Sequence, residues 1–299
     1  MRPALKALLD RPIDYAGLFP PAKLDLPTAL QEYVGFDAEE SLLVDRFICP
    51  ANKLTDFNQL LRESGDDYEP IDVTVVGSAI ENGHGSTEQF QRDCRRMDEA
   101  DLLNPTAYEV RCPSDHHVHS VLKAVSRSSL WDLGLDVYLE FPWGDGMEEA
   151  IHEATHMMED VGFKARTGGI TPDAFPSVSE VADFIYLVAS LEIPFKFTAG
   201  LHEPLRYEDK DLGVYRHGFL NVMIASALAF SSDLTKPEIE RILEITSPTE
   251  IVIGDDIQVA GHILTLDDIQ SWWGWFGGFG SCSVAEPIAG LKRLGYWDA

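Results

Sequence analysis

Residues 135–200 read LDVYLEFPWGDGMEEAIHEATHMMEDVGFKARTGGITPDAFPSVSEVADFIYLVASLEIPFKFTAG, and this stretch decides the fold. Three short runs rich in β-branched and aromatic residues, at 135–140 (LDVYLE), 161–166 (VGFKAR) and 194–199 (PFKFTA), bracket two segments whose apolar residues recur at helical spacing. Strand, helix and strand joined by short loops imply parallel pairing through right-handed crossovers. The same alternation continues toward the N-terminus, with strands predicted at 13–19 (IDYAGLF), 43–49 (LVDRFIC), 71–77 (IDVTVVG) and 106–111 (TAYEVR). Together these runs predict an α/β chain folded as a (β/α)8 TIM barrel, with one strand still to be found.

Toward the C-terminus the alternation breaks. Residues 207–276 hold two helix-like runs, GFLNVMIASALAF and KPEIERILEI, followed by EIVIGDDIQVAGHILTL, a hairpin predicted to turn on Gly254-Asp255-Asp256. The segment reads as an excursion within a single domain spanning 1–299, with strand eight near 277–283 (GGFGSCS) and AEPIAGLKRLG as the closing helix; the alternative makes EIVIG the eighth strand. No repeat or Pro-rich linker marks a domain boundary, and WWGWFGGFG is expected to pack between excursion and barrel.

The composition narrows the function. With 50 Asp and Glu against 23 Lys and Arg, the formal charge is −27, which repels nucleic-acid backbones and anionic membrane surfaces. Only nine of the basic residues are Lys, a balance that suits salty surroundings. Cys49, Cys94, Cys112 and Cys282 show neither paired spacing nor a CxxC motif, which is unlike a disulfide framework or a thiolate zinc site. The apolar part of MRPALKALLDRP is too short for a signal peptide, and no run approaches the roughly 18 apolar residues of a membrane span. The expectation is a cytoplasmic protein without cofactor or metal, compatible with a homo-oligomer.

Catalytic groups of a barrel come from the C-terminal ends of its strands, where side chains alternate between interior and exterior. Period two places Glu109 with Arg111, Asp136 with Glu140, Lys164 with Arg166, and Lys196 with Thr198 on common faces of strands four to seven. The loop after strand seven adds His202 and Arg206, and His217 with Asn221 follow. In so acidic a chain, Arg111, Lys164, Arg166, Lys196, His202 and Arg206 would form a local cationic bowl suited to a small anionic substrate. Gly168-Gly169, Gly200 and the 277–283 segment would let backbone N–H groups approach an anion. Lysines on adjacent strands suggest imine chemistry, because a neutral amine attacks a carbonyl to give an electron-withdrawing iminium. A second cation and burial favour that neutral amine, and Glu109 or Glu140 would move the protons.

In chain order, IDYAGLFPPA, FICP, VTVVG, YEV, LDVYLEF, KARTGG, KFTAG and GFGSCS resemble the strand motifs of the deoxyribose-phosphate aldolase family, class I aldolases on an (α/β)8 barrel. The resemblance covers about residues 13–206 and 277–290. It implies Lys164 as the Schiff-base lysine, Lys196 as the second lysine that lowers the pKa of the first, and Glu109 as the strand-four acid of the proton relay. It also implies that Gly169, Gly200 and Ser281 to Ser283, with both serines counted, hold a substrate phosphate. The chain departs from the family at Asp136, at Tyr15, at Arg166 and through LHEPLR, which points to a differently placed anion such as a carboxylate.

Other readings compete. Asp115 and His119 sit four residues apart, with His116 between them, a spacing that fits a metal completed by Glu140 or His202; the plainer reading is an N-cap followed by exposed histidines. A metal would make the chain a metal-dependent lyase, isomerase or hydrolase. A non-catalytic barrel that binds a small anion is a further alternative. His84 reads as a loop residue, Cys282 as an inert thiol and Lys23 as a solvated side chain.

Overall fold

The computed structural model describes residues 1–65, 69–80, 87–112, 118–144, 146–158 and 160–297. Eight parallel strands close a barrel: β1 (Ile13–Tyr15), β2 (Val44–Pro50), β3 (Ile71–Val76), β4 (Leu103–Arg111), β5 (Asp136–Glu140), β6 (Val161–Arg166), β7 (Phe195–Thr198) and β13 (Phe276–Ser281). Their order around it is β1-β13-β7-β6-β5-β4-β3-β2. The chain is therefore a TIM barrel whose eighth strand lies at GGFGS, where the sequence placed it. Ile251–Ile253, the alternative for that role, is β10 of a separate antiparallel sheet with β11 (Ile257–Val259) and β12 (His262–Leu264).

Strand ends follow local chemistry. β1 stops at Tyr15, short of the predicted 19, because Phe19 N–H donates to the Ala16 carbonyl and turns the chain. β4 begins three residues earlier than predicted: Pro105, opposite Val73, sits where the register with β3 shifts, which a strand tolerates at a bulge. The excursion holds two hairpins more than predicted, β11–β12 and a second at its start. There β8 (Tyr207–Asp209) and β9 (Val214–Arg216) pair antiparallel, their turn closed by Asp209 Oδ1, which accepts from Asp211 N–H at 3.0 Å and Leu212 N–H at 3.1 Å.

Two compact units divide the chain: Asp14–Gly35 with Asp45–Lys164, and Ala165–Ala299 with Met1–Ile13 and Phe36–Val44. The Asp14–Lys164 unit carries β2 to β5 and helices α3 (Leu54–Ser64), α4 (Thr87–Asp98), α5 (Val118–Ser126) and α6 (Met147–Met157). Its outer core includes Tyr15, Tyr33, Phe47 and Phe57, with the last two rings 4.9 Å apart. In the Ala165–Ala299 unit, α7 (Val178–Ser190) starts at a capping box in which Ser177 and Glu180 satisfy each other's backbone N–H groups. α8 (Phe219–Ser231) is buried from Phe219 to Leu228 and is apolar almost all round there, as an enclosed helix must be. Trp272, at the end of α10 (Leu266–Trp272), stacks on Phe276 at 4.3 Å, and Trp273 Nε1 donates to the Ala7 carbonyl. The tryptophan stretch is thus packing.

A buried lysine between two carboxylates

Register builds the candidate site. Across β4, β5 and β6, Arg111 pairs with Glu140, and Glu140 pairs with Lys164. Neighbours in a parallel ladder share a face, and Glu109 shares the face of Arg111 two residues on. Lys164 Nζ donates to Glu109 Oε2 at 2.6 Å and stands 2.6 Å from Glu140 Oε2. All three side chains are buried, with residue exposures of 6% for Lys164, 2% for Glu109 and 5% for Glu140. Arg111 lies at the exposed edge, its Nε 3.8 Å from Glu140 Oε1. An ammonium held at 2.6 Å by two carboxylates is a geometry across which a proton transfers without atomic rearrangement.

A second polar layer, which sequence reasoning missed, lies in the same unit. Asp14 on β1 is fully buried; its Oδ1 accepts from Arg46 Nε at 3.0 Å and its Oδ2 from Thr74 Oγ1 at 2.9 Å. Burial works against the Arg46 charge, but Asp14 and Asp45 outweigh it and hold the guanidinium firmly protonated. Tyr138 stands opposite Glu109 in the β4–β5 register, and Gly162 opposite Tyr138. Burial raises the Tyr138 phenol well above its ordinary value; Asp136, Asp14 and Glu109 push the same way and Arg46 opposes them. The sequence signal was there: Arg46 interrupts an apolar strand, just as Lys164 does.

The Ala165–Ala299 unit holds the other expected residues. Lys196 on β7 is fully buried, and Thr198 at the strand end is half-buried. Thr167 N–H and Oγ1 both donate to the Thr198 carbonyl, at 2.8 and 3.2 Å. Gly200 has φ +79°, and a Cβ there would lie 3.1 Å from Gly168 Cα, so backbone packing alone accounts for glycine at both positions. Gly169 approaches Ala174. Arg166 is half-buried at the end of β6. His202 Nδ1 lies 2.7 Å from Glu286 Oε2, and Arg206 sits 4.7 Å over the Tyr215 ring. Ser281 Oγ donates to the Ser283 carbonyl, and Ser283 Oγ accepts from Glu286 N–H in the first turn of α11 (Ala285–Arg293).

Several cations of the expected bowl therefore have acidic or aromatic neighbours. Arg111 and Lys164 face Glu140, His202 faces Glu286, and Arg206 covers Tyr215. His217 and Asn221 prove structural. His217 is fully buried with Nε2 on the Pro176 carbonyl at 2.9 Å, and burial lowers its pKa to about 4. Asn221 ties the Ile242 and Ile245 carbonyls to Arg206 N–H.

His84, Asp115 and His116 lie outside the described residues; His119 is described and contacts Glu153 at 2.7 Å. Among the described residues no group of three or more His, Cys, Asp or Glu is arranged to hold a metal. Burial pushes the Cys49 thiol up to about 12 and the Cys94 thiol up to about 11, which leaves both unreactive. No helix among the described residues is long and apolar enough to cross a membrane.

Fold and site together define a TIM barrel with a buried lysine–dicarboxylate cluster at the C-terminal ends of β4 to β6. Comparison with known proteins finds no protein-family model and no curated protein that matches the chain.

Proposed function

We propose that the chain is a cytoplasmic lyase of the class I aldolase type, which forms a Schiff base between Lys164 and a small anionic carbonyl compound and cleaves a C–C bond reversibly. The observation that carries this reading is the Lys164 amine, buried at a strand end with two carboxylate oxygens at 2.6 Å. TIM barrels place their chemistry at this end, and the resemblance of KARTGG and KFTAG to deoxyribose-phosphate aldolase motifs agrees with it.

Lys164 first gives its ammonium proton to Glu109; as the neutral amine adds to the carbonyl carbon, Glu109 passes that proton to the carbonyl oxygen and takes a second one from the nitrogen, which leaves the neutral carbinolamine. The carbinolamine then loses water as Glu109 returns that proton to the departing hydroxyl. The iminium accepts the electron pair of the breaking C–C bond while the β-hydroxyl gives its proton to a carboxylate, releasing an aldehyde and leaving an enamine. Protonation of the enamine carbon and hydrolysis of the imine restore the free amine. Glu140, tied to Arg111, is the second proton carrier. Lys196 keeps the role implied by its place in KFTAG, a cation that favours the neutral amine. Arg111, Arg166, Thr198, Gly169, Gly200, His202, Arg206, Ser281 and Ser283 are assigned to the substrate's anionic and hydroxyl groups.

Borohydride reduction in the presence of a panel of aldehydes and keto acids tests the reading. A stable mass increase that depends on both carbonyl compound and reductant supports it. Failure with every carbonyl, together with activity lost to a chelator, replaces it with metal-dependent chemistry.

A further inference from the structure

Glu140 stands between two cations. Its Oε2 lies 2.6 Å from Lys164 Nζ and its Oε1 3.8 Å from Arg111 Nε. The backbones of Arg111 on β4 and Lys164 on β6 are separated by β5, a gap of roughly 10 Å. Their charged ends nevertheless converge until one carboxyl group spans the space between them. The two cations are held differently. Lys164 is buried with carboxylate oxygens of Glu109 and Glu140 at 2.6 Å. Arg111 meets Glu140 at Nε, at a distance too long for a hydrogen bond, and its side chain is 75% exposed. A guanidinium offers five N–H groups in a rigid fork, so this one contact leaves it capacity for a second anion at the strand end.

The segment expected to hold a phosphate is built otherwise. In the Ala165–Ala299 unit, Ser281 Oγ donates to the Ser283 carbonyl, Ser283 Oγ accepts from Glu286 N–H, and the Glu286 carboxylate lies 2.7 Å from His202 Nδ1. A phosphate entering there meets a charge of its own sign.

We propose that the substrate is a 2-oxo acid and that Arg111 is the specificity-determining residue that receives its carboxylate. The inference rests on Lys164 being the nucleophile. In a 2-oxo acid the carboxylate is attached to the carbonyl carbon itself. Once that carbon is joined to Lys164 Nζ, the carboxylate lies next to the new bond, within the one-carboxyl span that separates amine from guanidinium. An anion several bonds from the carbonyl, as in a sugar phosphate, does not match that span. The Arg111 fork takes a carboxylate through two parallel N–H···O bonds. Glu109 carries the amine's first proton when attack begins, so the anion enters beside one ionised carboxylate, Glu140, and not two.

Reductive trapping on Lys164 at graded concentrations of three compounds tests this: pyruvate, a 2-oxo acid; levulinate, whose carboxylate lies two carbons further from the ketone; and glyceraldehyde 3-phosphate. Each compound is compared between wild type and variant, so differences in intrinsic electrophilicity cancel. Arg111→Gln is expected to raise the pyruvate concentration for half-maximal trapping by about 10- to 100-fold and to shift the other two far less. Arg111→Lys, a point charge without the fork, is expected to recover part of the loss. The exposure of Arg111 lets both variants fold. Shifts of equal size for all three compounds, or no pyruvate adduct where another compound gives one, overturn the inference while the lyase reading stands. No adduct with any compound removes both.

Discussion

Tyr108 and Glu109 are adjacent on β4, yet they serve two different buried ionic networks. Tyr108 faces outward and donates to Asp93 Oδ2 at 2.7 Å; Asp93, fully buried on α4, also accepts from Ser78 N–H at 2.9 Å, Ser78 Oγ at 2.8 Å and Arg96 Nη1 at 2.9 Å. Glu109 faces the interior and meets Lys164, which lies between two carboxylates. In the Asp93 network one carboxylate collects four donors of fixed identity, so every proton has one owner and the cluster fastens helix to strand. In the Lys164 cluster two acceptors compete for one ammonium, so a proton has somewhere to go. Each network is centred on a buried charge, Asp93 or Lys164; the balance of donors to acceptors separates the fastening from the candidate machinery.

The largest effect that probes this contrast is Lys164→Met, which is expected to abolish the reduced carbonyl adduct entirely; an adduct of undiminished yield would assign the chemistry elsewhere. Glu109→Gln should slow imine formation by about 10²–10⁴-fold, and Glu140→Gln by less, measured as the rate of borohydride-trappable adduct. Asp93→Ala leaves the Tyr108 hydroxyl and the Ser78 N–H without their acceptor and should cost about 1–3 kcal/mol of stability in denaturant unfolding while adduct formation on the folded protein persists. If the adduct is lost from folded Asp93→Ala, the two networks are not separate.

A smaller effect comes from His217. Its folded pKa is lowered from 6.5 to about 4, so the unfolded chain binds the extra proton and stability falls as pH drops from about 6.5 to 4. The group accounts for about 3 kcal/mol across that window, and His217→Gln should flatten this part of the stability profile.

Much of the barrel was legible in the sequence, because buried parallel strands announce themselves as short apolar runs. β6 and the end of β5 fall where period two put them, and with them the common face of Lys164 and Arg166. The extra hairpins were not legible. Tyr207–Asp209 and Val214–Arg216 are polar three-residue strands, and Ala260-Gly261, at φ +52° and +91°, turns the chain a second time inside IQVAGHIL. The site was half legible. Periodicity places Lys164, Glu109 and Glu140 on inward faces but does not show what each meets, so the equal distance of both carboxylates from the amine was not legible. Asp14, Arg46 and Thr74 come from three strands, and no single-strand pattern joins them.

The central claim is that Lys164 is the nucleophile, and peptide mapping of the borohydride-reduced protein tests it most directly. The account predicts the reduced carbonyl compound on the peptide that contains Lys164, with Lys164→Met removing it. An adduct confined to another lysine, or none with any carbonyl compound offered, would contradict it.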